Sequence, residues 1–358
     1  VKKVIHDGDA AYEDIMALML LLLNADVVAV TVTYGESTTH LGAANMERVC
    51  RMLRPGLNIP VAFGMNHALD YNGIPFPDFI KIEEDTILEG TSVPEIATSQ
   101  VMDSAVNLLY TTLMSSEEKI TIVATGPLTN IAQLICAHPE CVEKIQQLVI
   151  MGGAIHVPGN ISDLIPDTKN TVAEWNIYAD PKAAQIVFNT PKLSILLVPI
   201  DITRQMPMTR AFYSALEKET ASSLKLVRDM LTSLLKGMGE TLFYGKLQFW
   251  DSLSAMIALD PSMATLEALP LTVDLLTGQV LIHDSAIAGV TPVKVATQLE
   301  DVSSAYNRFI RLMNNTPNLA VPDLQTNPLL RTHRFISERS FFPPYTKENN
   351  TGIEHGYH

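Results

Sequence analysis

The sequence predicts an α/β fold: an open, mostly parallel sheet flanked by helices, with its functional site at the C-terminal ends of the strands. Two patterns and one bound carry that prediction. From residue 3 to about residue 201, short β-branched runs alternate with longer stretches of helical period, as repeated βαβ units do. Runs such as Leu148-Val149-Ile150 are apolar throughout, which suits strands covered on both faces. A length of 358 residues with 47% hydrophobic content is ample for one large core.

Taken in order, the predicted strands are residues 3–6, 27–34, 60–64, 119–124, 147–151 and 194–200, and the predicted helices 14–23, 41–53, 99–114, 128–137 and 181–189. The apolar run 15–23 stops at Asn24 and Asp26, well short of the ~20 residues that cross a bilayer, and reads as a buried helix. Two polar stretches, 66–95 and 155–171, are rich in Pro, Gly, Asp and Asn and read as long functional loops. Residues 211–247 form a helical insert. A single Rossmann-like domain therefore spans residues 1–326, followed by a peripheral or poorly structured extension, 327–358.

A net charge of −14 argues against a nucleic-acid partner, which would need a basic stripe to replace counterions, and favours a small neutral substrate. Cys50, Cys136 and Cys141 lack metal or disulfide spacing and read as free thiols that pack. No membrane segment is expected. The cytoplasm is the expected compartment, although a chain starting at Val1 leaves a removed leader open.

In open α/β sheets, ligands collect beyond the carboxyl ends of the strands. That rim holds the most unusual segment of the chain, Asp7-Gly8-Asp9-Ala10-Ala11-Tyr12-Glu13-Asp14. Its acids could be turn formers and helix caps. Carboxylates so close together raise one another's pKa unless a cation neutralises them, and a divalent metal does so most directly.

Further along come Thr125-Gly126-Pro127-Leu128-Thr129-Asn130, Met151-Gly152-Gly153, Glu174-Trp175-Asn176 before Asp180-Pro181, and Trp250-Asp251. With the opening motif, these resemble in order and spacing the calcium-dependent nucleoside hydrolases, over residues 3 to 325. The resemblance implies hydrolysis of the N-glycosidic bond of ribonucleosides to ribose and free base. It implies Ca²⁺ on Asp9, Asp14, the Thr125 carbonyl and Asp251, with Asp7 supporting them. Ca²⁺ takes about six to eight oxygen ligands, so positions would remain for water and for ribose hydroxyls. The resemblance further implies that Asp9 takes the proton of a Ca²⁺-bound water as it attacks through an oxocarbenium-like transition state.

By the same resemblance, Glu13, Glu36, Met151, Asn160, Glu174 and Asn176 line the substrate pocket. Trp250 stands where many members carry His, as in the purine-preferring branch, and implies stacking on a purine. Phe79, with Phe76 and Phe249 behind it, is the candidate for the opposite face of the base. The chain also departs from the family: Glu13-Asp14 replaces the usual Asp-Asp, Ala10-Ala11 replaces Pro-Gly or Gly-Asn, and Glu36 stands where many members have Asn. A riboside-binding relative with impaired catalysis, or a Mg²⁺-dependent phosphatase with Asp7 as nucleophile, are the competing readings. Related hydrolases imply a homodimer or homotetramer.

Overall fold

Strand alternation sorts the apolar residues into two separate cores. Val4, Val123, Val149 and Leu196 pack in one, while Ile5, Ile122, Leu148 and Leu197 pack in the other, so each strand feeds both faces of one sheet. The computed structural model describes residues 2–70, 76–95, 101–102, 104–285 and 289–316, all within one compact unit, Val1–Leu319. The extension expected from residue 327 lies outside the described residues.

The strands are β1 (Lys3–Gly8), β2 (Asp26–Val32), β3 (Val61–Phe63), β4 (Ile120–Ala124), β5 (Ile145–Met151), β6 (Ile195–Val198), β7 (Ala264–Leu269), β8 (Leu271–Val273), β9 (Val280–Ile282) and β10 (Val293–Leu299). Eight of them form the sheet in the order β3-β2-β1-β4-β5-β6-β10-β7, while β8 and β9 pair on their own. All pairings in the large sheet are parallel except β10 with the edge strand β7. The chain winds outward from β1 through β2 to β3, then returns to β4 on the other side of β1. That reversal is the switch point where open α/β sheets bind ligands.

One face is covered by helices Tyr12–Asn24, Thr39–Leu53, Ser222–Lys246, Asp251–Leu259 and Val302–Met313, and the other by Ala105–Ser115, Thr129–Ala137 and Pro181–Phe188. Residues 12–23 are buried throughout, as expected of the apolar run. Among the described residues no helix is long and apolar enough to cross a membrane.

Several expectations are corrected. The predicted helix 99–114 starts at Ala105, because Met102 is extended and bridges Ala62, giving its N–H to Val61 and its carbonyl to Phe63. Strand β2 ends at Val32, releasing Thr33 and Tyr34 into the rim, and Ile200 opens a helical turn rather than closing a strand. The stretch 66–95 contains a helix, Asp78–Asp85. Strands β7 to β10 and helix Val302–Met313 were missed altogether. Cys50 and Cys141 are buried, but Cys136 is exposed.

Candidate active site

The sheet's switch point delivers the first site residues. The loop after β1 carries Asp9 and the first turn of the helix that follows carries Glu13 and Asp14, while the loop after β4 carries Thr125. Strand pairing of Asp7 with Ala124 brings these loops side by side, and the Thr125 N–H donates to the Asp7 carbonyl at 2.9 Å. Gly8 is required there: a Cβ would lie 2.7 Å from the Thr125 hydroxyl and would collide with the Asp14 carboxylate. Ala10 is held at φ 63°, a left-handed conformation costing a side chain about 1–2 kcal/mol.

Asp7 is turned away from the rim. Its Oδ1 accepts from Thr31 Oγ1 at 2.6 Å and from Asn130 Nδ2 at 2.8 Å, and the side chain is fully buried. Burial pushes it up to about 7. A carboxyl so enclosed cannot attack a phosphate, which removes the phosphatase reading and leaves Asp7 as a brace between β1, β2 and the helix Thr129–Ala137.

Asp14 is fixed at both oxygens: Oδ1 accepts from Thr125 Oγ1 at 2.5 Å and Oδ2 from the Ala11 N–H at 3.0 Å. Asp9 Oδ2 accepts the Glu36 N–H at 2.8 Å. Burial, followed by the charge of Asp14, raises Asp9 well above the usual carboxylate range; burial pushes Asp14 to about 7. Asp251, buried at the start of its helix, is raised by burial and then by Asp14, Glu13 and Asp9. Glu36 is raised by burial and then by Asp9 and Glu174.

Among the described residues, none of these carboxylates forms an ion pair with Lys or Arg. Glu13 Oε1 and Asp7 Oδ2 are buried polar atoms without a partner there. This donor set fits a hard divalent cation: crowded, dehydrated carboxylates with a backbone carbonyl beside them. Among the described residues no three His, Cys, Asp or Glu side chains stand in metal-ligand geometry, and Asp9 and Asp14 each accept a backbone N–H.

The Glu174-Trp175-Asn176 motif caps a helix and ties together the ends of β4 and β5. Glu174 caps helix Trp175–Ala179, accepting the N–H groups of Asn176 and Ile177. It also takes the Gly153 N–H at 2.8 Å, which ties it to the end of β5. Asn176 Nδ2 donates to the Thr125 carbonyl at 2.9 Å and to the Met151 carbonyl at 3.2 Å. Asn160 Oδ1 accepts the Trp175 N–H at 3.1 Å, so it orients the motif from behind. Met151 is buried and packs with Ala154 and Ile200, and Trp250 lies against them.

Glu13 has a structural partner as well. Its Oε2 accepts the Ser252 N–H at 3.1 Å, capping helix Asp251–Leu259, and its pKa is pushed to about 8 by burial. The longer side chain reaches across to the helix that carries Asp251. The aromatic candidates also separate. Phe249 is fully buried in a cluster with Phe212 and Phe309, and Phe76 stacks on Trp175 at 4.6 Å, while Phe79 is 58% exposed. The described contacts do not bring Phe79 to the carboxylates.

Sequence reasoning missed His6, Thr31, Asn130 and the acids of helix Asp78–Asp85. Asn130 stood within a quoted motif, whereas His6 and Thr31 sit at strand positions with no local signal. Glu84 Oε2 accepts the Tyr12 N–H at 2.7 Å, and Asp85 accepts both the N–H and the hydroxyl of Thr38 at 2.7 Å.

Fold and site together define an α/β protein with a buried polycarboxylate cluster at the switch point of its sheet. The chain belongs to the family described as inosine-uridine preferring nucleoside hydrolase, whose sequence model matches residues 4–307. It is 36% identical over 204 residues to a pyrimidine-specific ribonucleoside hydrolase, RihA, of Escherichia coli O127:H6, covering 56% of this chain and 61% of that one. A Shewanella baltica protein of the same description is 36% identical over 206 residues, covering 57% and 60%. The chain thus spans about three fifths of these curated relatives. Among solved structures, a plant nucleoside hydrolase, PpNRh1, is 28% identical with a TM-score of 0.70, covering 87% of this chain and 97% of that one. A purine-preferring ribonucleoside hydrolase from Gardnerella vaginalis shares the fold at 24% identity and a TM-score of 0.75, covering 87% and 98%.

Proposed function

We propose that the protein hydrolyses the N-glycosidic bond of ribonucleosides, giving ribose and free base, with Ca²⁺ as its cation. One observation carries this reading: Asp9 and Asp14 from the β1–helix junction, Thr125 from the end of β4 and Asp251 from the start of a distant helix lie buried and close enough to raise one another's pKa or to hydrogen-bond. Asp9, Asp14, Thr125 and Asp251 would hold the cation. When bound, it neutralises the cluster, anchors sugar hydroxyls and makes water more acidic.

The protein's own groups supply the rest. Asp9 accepts the proton of the attacking water, and its charge, with that of Asp14, favours the positive sugar of an oxocarbenium-like transition state. Asn176 spends its amide on two carbonyls and keeps Oδ1 for a ribose hydroxyl. Glu174 accepts three backbone N–H groups, leaving about one lone pair for the sugar. Glu13 Oε1 and Glu36 remain for ribose on the other side.

For the base, we propose purine preference, because Trp250 offers a broad ring beside Asp251 and stacking of this kind is worth about 1–3 kcal/mol. The RihA relatives, described as pyrimidine-specific, make uridine the decisive competitor. With Ca²⁺ present, release of reducing sugar should be faster from inosine than from uridine, and Trp250→Ala should erase the difference. Asp9→Ala should abolish turnover while leaving the circular dichroism spectrum unchanged. Protein that binds Ca²⁺ yet frees no ribose from any nucleoside would sink the reading. It would favour a riboside-binding relative instead, a reading that draws on the commitment of Glu13 to a helix cap. We also propose a homodimer or homotetramer, which light scattering of the purified protein would show.

A further inference from the structure

His6 is a polar side chain in an apolar place. It lies on the same face of β1 as Val4, is fully buried, and stands where strand alternation calls for a hydrophobic residue. A buried imidazole is costly unless hydrogen-bonded. Its Nε2 lies 2.9 Å from Thr125 Oγ1, and that hydroxyl in turn lies 2.5 Å from Asp14 Oδ1. The hydroxyl proton goes to the carboxylate, so the Thr125 oxygen must accept, and His6 Nε2 carries the proton that it accepts. Nδ1 has no partner among the described residues, so the ring serves no other polar contact there.

We propose that His6 is a positioning residue that aims Asp14 at its cation through the Thr125 hydroxyl. This rests on the reading of Asp14 as a cation ligand. The chain of donors is closed on its other sides. Ala11 N–H holds Asp14 Oδ2, and the bare backbone of Gly8 lies directly against both the Asp14 carboxylate and the Thr125 hydroxyl. Asp14 thus has one orientation, and the last link fixing it is supplied by His6. Thr125 takes two parts, its carbonyl toward the cation and its hydroxyl as the relay.

The test is calorimetric Ca²⁺ binding to the whole protein. Loss of support behind a metal ligand weakens binding by about 10- to 100-fold, and His6→Leu should show a loss of that size. His6→Gln, whose amide N–H can reach the same hydroxyl, should stay within about threefold of the wild type, since it preserves the donor. At saturating Ca²⁺, His6→Leu should recover most of the wild-type kcat, which a distorted fold would not allow. Thr125→Val removes the hydroxyl and keeps the carbonyl. It should lose as much affinity as His6→Leu, and the double variant should lose no more, because the relay is already broken. This second route also serves if His6→Leu fails to fold. Equal Ca²⁺ affinity in the wild type and His6→Leu, or equal losses in His6→Leu and His6→Gln, would overturn the inference alone. Wild-type protein that takes no Ca²⁺ would overturn the reading of the site, and the inference with it.

Discussion

At the scale of single residues, Glu13 shows how one methylene changes a side chain's employment. An Asp at this position could not span from the first helix to the Ser252 N–H, whereas Glu13 caps the helix that presents Trp250 and Asp251. Loss of a helix cap costs about 1 kcal/mol. Glu13→Asp should therefore lower stability by about that amount in urea denaturation. Glu13→Gln keeps the reach and an acceptor oxygen while removing one crowded acid, and should be at least as stable as the wild type in the absence of metal. Equal stability of Glu13→Asp and wild type would mean that the cap contributes nothing. The acidic identity of position 13 was legible in the sequence. Its partner, 239 residues away, was not, because nothing local to Glu13 encodes where Ser252 will lie.

At the scale of elements, the helix Asp78–Asp85 is the least expected piece of the site. Its short length and the polar composition around it read as loop. Its last two acids nevertheless fasten the two segments that carry site residues, Glu84 to the Tyr12 N–H and Asp85 to Thr38. Glu84 is buried, raised well above the usual range by burial and then by Glu36, and it satisfies a buried amide. Leaving that amide unpaired costs about 1–3 kcal/mol. Glu84→Ala should thus destabilise the protein by that range and speed hydrogen exchange at Tyr12, while Glu84→Gln, which retains an acceptor, should protect it. Unchanged exchange at Tyr12 in Glu84→Ala would show that the helix does not hold the loop. The strands of the first half were readable because continuous β-branched runs have few alternatives. Those after residue 260 were not: β7 is exposed along most of its length, and β8 and β9 are three residues each, too short to set a period.

At the scale of the whole molecule, folding buries acids that the unfolded chain leaves in water. Asp7 and Asp14 are pushed to about 7 and Glu13 to about 8, in each case first by burial. An acid whose folded pKa exceeds its unfolded value takes up a proton on folding. Its contribution is complete below the unfolded value, near 4, and is lost as pH rises through the folded one. Metal-free protein should therefore lose thermal stability as pH rises from about 4 to about 8, and Ca²⁺ should restore most of it at the upper end. Calorimetric scans in EDTA and in CaCl₂ would check this, and a Tm that climbs with pH in EDTA would contradict it. The sequence by itself determined the α/β class and the rim on which a site would lie, and its resemblance to a known family pointed to the acids, Thr125, Glu174 and Asn176 as candidates. The class and the rim follow from local periodicity, and the candidates from motifs matched in order. Only the tertiary structure decided which acids face one another, which are spent on bracing and capping, and that a buried His6 stands behind Asp14. Those outcomes depend on strand pairing and packing between residues distant in the chain, where burial and hydrogen bonding set what each carboxylate can do.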